Sequence, residues 1–233
     1  MNITNPKVTE YIYSLYSPLT EELAQLREEG EKRHVPIILR DSETMLVTLV
    51  EMNKPDAILE IGTAIGYSAA VFSAACKRAG LDTKITTVEI DPLYANDAEK
   101  NLAGCDNVEL IRADACDVMA RQRGSKCYDM IFIDAAKSHY REFWEGALGL
   151  THPGSLIICD NILMQARTAD ESYDERGRFT TNIKYMRGFL DHISSFEGAV
   201  TSILPVGDGM SISVIKQVSE QKAQCKKYKS IKG

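Results

Sequence analysis

The chain has 233 residues and a formal net charge of −6 at pH 7, with 44% hydrophobic and 26% charged residues. This length can bury a sizeable core as one large domain or two small ones. No apolar run approaches the roughly 20 residues that cross a bilayer, and the amino terminus lacks the basic start and apolar core of a signal peptide, so we expect a cytoplasmic protein rather than a membrane or secreted one.

The charge is unevenly distributed along the chain. Residues 217–233 contain five lysines and one glutamate, a balance of +4, which leaves −10 for residues 1–216. A uniformly acidic body argues against broad non-specific binding to nucleic acid, whereas a basic tail permits a local phosphate contact. We expect a single domain over residues 1–216 followed by a flexible basic tail.

The six cysteines are scattered, with no CxxC pair and no histidine at metal-site spacing. In a reducing compartment such cysteines are small buried apolar residues or incidental thiols. The pattern indicates no zinc site.

The first 53 residues predict a helical cap of three helices. Their segments are NPKVTEYIYSLYS, SPLTEELAQLREEGEKR and DSETMLVTLVEMN. The second segment opens on Ser17 and Pro18, and the third places Asp41 or Ser42 as a cap before an apolar run. Between these two segments, Pro36 forces an extended joint.

From residue 57 to residue 216, short apolar runs alternate with helical stretches. The runs AILEIG, KITTVEI, NVELIRAD, YDMIFIDA and SLIICDN are typical of parallel strands buried on both faces. A long helix is predicted at about residues 172–192. The runs AVTSILPV and GMSISVIK, joined by GDG at 207–209, predict a closing hairpin with an antiparallel last strand. The predicted fold class is α/β, a doubly wound and mostly parallel seven-stranded sheet.

Ligands of open parallel sheets bind beyond the carboxyl ends of the strands. The first strand continues as EIGTAIGYSAA, whose glycines let a ligand approach the backbone or simply form a tight turn. Its G-x-x-x-G spacing differs from the G-x-G-x-x-G of dinucleotide sites. A dehydrogenase is therefore the least favoured of the functions considered. Glu89 ends the second strand, where a carboxylate accepts both hydroxyls of a ribose, and Asp114 with Ala115 follows the third, where an adenine would lie. Asp91 is a candidate helix cap instead.

The fourth and fifth strands also end in carboxylates. FIDAAKSHY places Asp134 and then Lys137 after one strand, and SLIICDN places Asp160 and Asn161 after the other. Two carboxylates and an amide oxygen are hard ligands that suit Mg²⁺ or Mn²⁺. The alternatives are an Asx-turn at Asp160 and a plain surface lysine at position 137.

Together, EIGTAIGYS, FIDAAK and CDN resemble the class I S-adenosylmethionine-dependent methyltransferases, in particular their cation-dependent O-methyltransferase branch with the catechol and caffeoyl-coenzyme A enzymes. The resemblance covers about residues 11–216 and implies a Rossmann-like fold and a homodimer. It implies Mg²⁺ or Mn²⁺ at Asp134, Asp160 and Asn161. It also implies catalytic roles for Asp134 and Lys137, with the lysine beside the reacting oxygen to take its proton or stabilise the oxyanion. The implied cofactor contacts are Glu60, Gly62, Thr63, Ser68, Glu89, Asp114, Ala115 and Asp134.

HVPI at 34–37 and ILPVGDGMSIS at 203–213 resemble more closely the bacterial tRNA 5-hydroxyuridine methyltransferases, in which the stretch after HVPI lines the cofactor and would bring Ile38 near it. The implied substrate is the wobble base of a tRNA anticodon loop, whose hydroxyl and C4 carbonyl form a vicinal oxygen pair. Residues 169–187, however, interleave acidic with basic residues instead of forming a basic run. Two alternatives therefore stay open: an enzyme that methylates a small catechol, phenol or caffeoyl-CoA-like compound, and a non-catalytic cofactor-binding protein.

Overall fold

In the computed structural model, which describes residues 5–216, three helices precede a seven-stranded sheet. The predicted basic tail at 217–233 lies outside the described residues. No helix within 5–216 is both long and apolar enough to cross a membrane.

The amino-terminal cap consists of α1 (Pro6–Ser14), α2 (Glu21–Lys32) and α3 (Arg40–Asn53). The prediction that α2 starts at the Ser-Pro pair is wrong, because Thr20 caps this helix by accepting a hydrogen bond from the amide of Leu23. The predicted cap at Asp41 or Ser42 is also wrong. The residue before helix α3 is Leu39, the helix begins at Arg40, and both polar residues lie in its first turn.

The seven predicted strands all form, in the spatial order β3-β2-β1-β4-β5-β7-β6. The first five pair in parallel, and β7 runs antiparallel to both β5 and β6, which confirms the closing hairpin. Their bounds are β1 Ala57–Ile61, β2 Lys84–Glu89, β3 Val108–Arg112, β4 Tyr128–Ile133, β5 Thr151–Cys159, β6 Ala199–Leu204 and β7 Met210–Ile215.

Strand β3 departs from the predicted burial on both faces. Its residues are half-buried or exposed, whereas β1, β2 and β4 are buried almost throughout. The strand order explains the difference, because β3 lies at the edge of the sheet with a single neighbour.

Helices cover both faces of the sheet and bury an apolar layer on each. One layer packs against α6 (Ala115–Gln122), α7 (Tyr140–Leu148) and α8 (Thr180–Ser195), and it includes Cys159. The other packs against α3, α4 (Tyr67–Arg78) and α5 (Pro92–Asn101), and it includes Cys76. These two cysteines are therefore core residues, as the sequence predicted.

Helix α8 starts later than the predicted residue 172. A short 3-10 turn spans Glu171–Tyr173, and α8 itself begins at Thr180. The carboxylate of Asp174 accepts hydrogen bonds from the amides of Arg178 and Phe179, at 3.0 and 2.9 Å. Such bonds offer the backbone an alternative to the helix, which delays its start.

Candidate active site

The carboxyl ends of β1 to β5 open into a cavity of about 990 Å³. Its wall also includes residues 36–39 of the helical cap, together with Gly207 and Asp208 of the GDG turn between β6 and β7. Glu60 and Asp160 are fully buried and lie behind this lining. The predicted site residues that line the cavity are Ile38, Gly62, Thr63, Ser68, Glu89, Asp114, Ala115, Asp134, Lys137 and Asn161.

The turn after β1 brings the first and fourth strand ends together. Gly62 has φ +96°, and a Cβ at this position would lie 2.0 Å from the carbonyl oxygen of Asp134. Only glycine tolerates this combination of conformation and close approach. The tight-turn explanation for Gly62 therefore holds whether or not a cofactor approaches the same backbone.

Glu89 at the end of β2 connects two neighbouring turns. One carboxylate oxygen accepts a hydrogen bond from the amide of Ala64 at 2.8 Å, and the other accepts one from the amide of Asp91 at 2.9 Å. Each oxygen keeps a further acceptor position, since a carboxylate has about four in all. The predicted role of Glu89 in binding a ribose stays a prediction that this geometry permits.

Asp91 and Asp114 both cap helices. Asp91 accepts from the amides of Leu93 and Tyr94 and caps α5, as the sequence predicted. Asp114 accepts from the amide of Cys116 at 2.7 Å and caps α6. The contact of Asp114 with an adenine amino group stays a prediction, and it would come in addition to the capping role.

Glu60 lies under the floor of the cavity. One carboxylate oxygen accepts from the hydroxyl of Thr87 at 2.5 Å, and that hydroxyl also lies 2.5 Å from the hydroxyl of Thr63. Burial raises the pKa of Glu60 to about 7, against the opposing hydrogen bonds of Ser68 and Thr87. Its predicted contact with a cofactor would pass through the threonine and serine hydroxyls above it.

The ends of β4 and β5 meet around the ammonium group of Lys137. Its Nζ donates to Asp134 Oδ1 at 3.0 Å, to Asn161 Oδ1 at 3.3 Å and to the hydroxyl of Tyr140 at 2.6 Å. Because the Lys137 side chain is only 21% exposed and has these three acceptors, it is not a plain surface lysine.

Asp160 stands behind this group and is fully buried. Its Oδ1 accepts from the amide of Asn161 at 2.8 Å and makes a long contact of 3.4 Å with the hydroxyl of Ser42, whereas Oδ2 has no hydrogen-bond partner. The Asx-turn alternative does not describe this strand end, because the amide of Ile162 donates to Gly209 instead. Burial, and then the charge of Asp134, raises the pKa of Asp160 to about 8.

The donor set fits a hard divalent cation. Two of the three predicted ligands, Asp134 and Asn161, each accept a hydrogen bond from the ammonium group of Lys137. The third ligand, Asp160, has a buried oxygen without a partner. Within residues 5–216 no three histidine, cysteine, aspartate or glutamate side chains form a metal cluster. The predicted set differs from such a cluster in its third donor, which is an amide oxygen.

The sequence did not predict three residues as members of the site, although two of them were candidate helix caps. The buried hydroxyl of Tyr140 contacts Lys137 and donates to the carbonyl oxygen of Asp160 at 2.7 Å. In the helical cap, Ser42 reaches Asp160, and Asp41 accepts from the amide of Gly207 at 2.9 Å. The spacing of Tyr140, three residues after Lys137, was the one available signal. The contacts from the cap join residues more than 100 positions apart and leave no local pattern.

The comparisons with known proteins agree on one family. A family model described as O-methyltransferase matches residues 13–216. A catechol O-methyltransferase from Niastella koreensis is 30% identical over 178 residues, which cover 73% of this chain and 78% of the relative.

Solved structures share the fold. The crystal structure of a candidate caffeoyl-CoA O-methyltransferase from Staphylococcus aureus is 31% identical, with a TM-score of 0.80 over 88% of this chain and 98% of that one. An O-methyltransferase from Bacillus cereus in complex with SAH is 24% identical, with a TM-score of 0.75 over 90% of this chain and 97% of that one. The fold predicted from the sequence is thereby confirmed.

Proposed function

The chain belongs to the S-adenosylmethionine-dependent O-methyltransferase family, and from that membership we propose that it methylates one hydroxyl of a small catechol or related phenol with the help of Mg²⁺ or Mn²⁺. The observation that carries this proposal is the strand-end cluster of Asp134, Lys137, Asp160 and Asn161 at the wall of the cavity. The chain has all four residues of this cluster, which argues against a protein that binds the cofactor without catalysis.

The residues divide into a cofactor side and a reacting side. S-adenosylmethionine would supply a methyl group on a positively charged sulfur. Asp134, Asp160 and Asn161 would hold a divalent cation, which would supply the positive charge that lowers the pKa of the substrate hydroxyl. Lys137 would stand beside that hydroxyl, where a neutral Nζ would take the proton, whereas the ammonium form would stabilise the resulting oxyanion. On the cofactor side, the proposed contacts are Ile38, Glu60, Gly62, Thr63, Ser68, Glu89, Asp114 and Ala115.

The charges that line the cavity favour a small substrate without phosphates. Within the described residues, Lys137 is the single lysine or arginine of the lining, and a phosphate-rich substrate needs several such cations. The relatives from Niastella koreensis and Staphylococcus aureus carry the names of catechol and caffeoyl-CoA enzymes, and neither name supports the predicted tRNA substrate. Against this single cation, the lining carries six acidic residues, which are Glu89, Asp91, Asp114, Asp134, Glu142 and Asp208.

A substrate panel tests this proposal. Purified protein with S-adenosylmethionine and Mg²⁺ is offered catechol, caffeoyl-CoA, tRNA that carries 5-hydroxyuridine, and phenol, and the products are identified by mass spectrometry. We expect the highest kcat/KM for catechol and little turnover of phenol, which has no second oxygen for the cation. Preferred methylation of tRNA would restore the wobble-base reading, and no methylation of any substrate would refute the proposed activity.

The homodimer and the cytoplasmic location are further parts of the proposal. The homodimer follows from the resemblance to the cation-dependent branch. The apolar side chains that α1 exposes support it, since exposed apolar patches often mark protein interfaces. They are Val8, Tyr11 and Ile12.

A further inference from the structure

Lys137 has three acceptors, and they differ in what else they are expected to do. Asp134 and Asn161 are proposed cation ligands, so a divalent cation competes with the ammonium group for their oxygens. The cation and the ammonium group also repel each other. The third acceptor, the hydroxyl of Tyr140 at 2.6 Å, belongs to no proposed ligand.

The direction of the hydrogen bonds at Tyr140 follows from its buried hydroxyl. A phenol has one proton to donate, and here that proton goes to the carbonyl oxygen of Asp160 at 2.7 Å. The oxygen of Tyr140 is then left to accept from Lys137 Nζ. The hydroxyl of Tyr140 thus connects Lys137, which follows β4, to the backbone carbonyl of Asp160, which follows β5.

The ring of Tyr140 is held by the core rather than by the site. The residue is fully buried and packs edge-on against Phe189 of α8, with ring centroids 5.6 Å apart. Lys137 Nζ lies 4.8 Å from the centroid of the Tyr140 ring and 2.6 Å from its hydroxyl, so it contacts the ring edge at the oxygen. Neither the packing of this ring nor its hydrogen bond to Lys137 uses a side-chain oxygen of Asp134 or Asn161, so a cation on those oxygens would not compete for either contact.

We propose that Tyr140 is a positioning residue, which keeps Lys137 beside the reacting hydroxyl when a divalent cation takes the oxygens of Asp134 and Asn161. This inference rests on the proposed function and adds to it a residue outside the cofactor, cation and substrate contacts. Tyr140 acts through Lys137, so its effect should disappear when the lysine is absent.

A double-mutant cycle tests this dependence. The variants are Tyr140→Phe, which removes only the hydroxyl, Lys137→Ala, and the pair together. We expect Tyr140→Phe to lower kcat for catechol about 10- to 100-fold with KM changed less than about threefold. In the Lys137→Ala background, Tyr140→Phe should cause no further loss. Unchanged kcat in the single variant, or full additivity in the double variant, would refute the positioning role.

A second readout needs no turnover. With Mn²⁺ present, labelling of Lys137 by an amine-reactive reagent is followed by peptide mass spectrometry in the wild type and in Tyr140→Phe. We expect faster labelling in the variant, because the lysine loses its anchor, and equal rates would count against the proposal. Tyr128→Phe is the matched control: it removes another buried tyrosine's hydroxyl, which donates to Gln122 away from the cavity. If the wild type methylates nothing, the proposed function fails, and the labelling still decides the role of Tyr140.

Discussion

Asp160 combines complete burial with a carboxylate that is only partly hydrogen-bonded. Its Oδ2 has no partner, and burial together with the charge of Asp134 raises its pKa to about 8. An acid whose pKa is higher in the folded than in the unfolded protein destabilises the fold as the pH rises, because the unfolded chain releases the proton first. Asp160 therefore costs stability in the absence of a cation, which favours the proposed role of a cation ligand over a purely stabilising one.

Replacement of Asp160 by asparagine should separate activity from stability. We expect the methylation rate to fall more than about 100-fold, beyond the effect typical of residues that only support a ligand. In the presence of chelator near pH 8, we expect the melting temperature to rise by at least about 2 °C, because the buried negative charge is gone. Enzyme assays and thermal melts between pH 5 and pH 8 give both quantities, and the gain in melting temperature should shrink towards the lower pH.

A purely structural role for Asp160 predicts the opposite combination. The variant would then lose melting temperature at every pH, and its activity would fall only as far as its folded fraction. Retained affinity for S-adenosylmethionine, measured by calorimetry, confirms that the cofactor side of the cavity is intact.

At the scale of elements, the amino ends of three strands are joined by Asp129 of β4. Its Oδ2 accepts from the amides of Asp56 and Ala57 at the start of β1, both at 2.9 Å. Its Oδ1 lies 2.8 Å from Nε2 of His152 in β5. Burial opposes ionisation of this carboxyl, but the bonds from His152 and Ala57 outweigh it and lower its pKa. This contact lies at the opposite end of the sheet from the cavity.

Asp129→Asn should therefore affect stability and leave activity unchanged. At pH 7 we expect the free energy of unfolding to fall by about 1–3 kcal/mol, the cost of unsatisfied buried hydrogen-bonding groups. An acid with a lowered pKa contributes stability above its unfolded pKa and loses it as the pH falls through its folded pKa. The difference from the wild type should thus shrink in urea titrations as the pH falls below 3.8, the ordinary pKa of an aspartate. Asp82→Asn, at an exposed acid before β2, is the control and should differ little at any pH.

At the scale of the whole molecule, the sheet was predictable because each buried strand is a short run of β-branched and aliphatic residues. Parallel strands have their carboxyl ends on one edge of the sheet. The sequence alone therefore predicted that the side chains at the ends of β2 to β5 lie close together, namely Glu89, Asp114, Asp134 and Asp160. The start of α8 was not predictable, because it depends on the side chain of Asp174 competing for backbone amides.

The unpredicted part of the site comes from contacts distant in sequence. Ser42 and Asp41 reach the β5 end and the GDG turn from the helical cap, and no periodicity marks a helix residue for such a contact. The cap prediction failed at the same two residues, because their side chains bond across the molecule instead of closing their own helix. The sequence therefore predicts which side chains stand at the strand ends better than it predicts the residues of the helical cap that contact them.

The central claim is that the cluster of Asp134, Lys137, Asp160 and Asn161 transfers a methyl group with the help of a divalent cation. The most direct measurement is the initial rate of monomethyl catechol formation after treatment with EDTA, followed by titration with Mg²⁺. We predict that chelation abolishes the rate and that Mg²⁺ restores it in the wild type, with no recovery in Asp160→Asn at the same concentrations. Full activity in the presence of EDTA would contradict the claim.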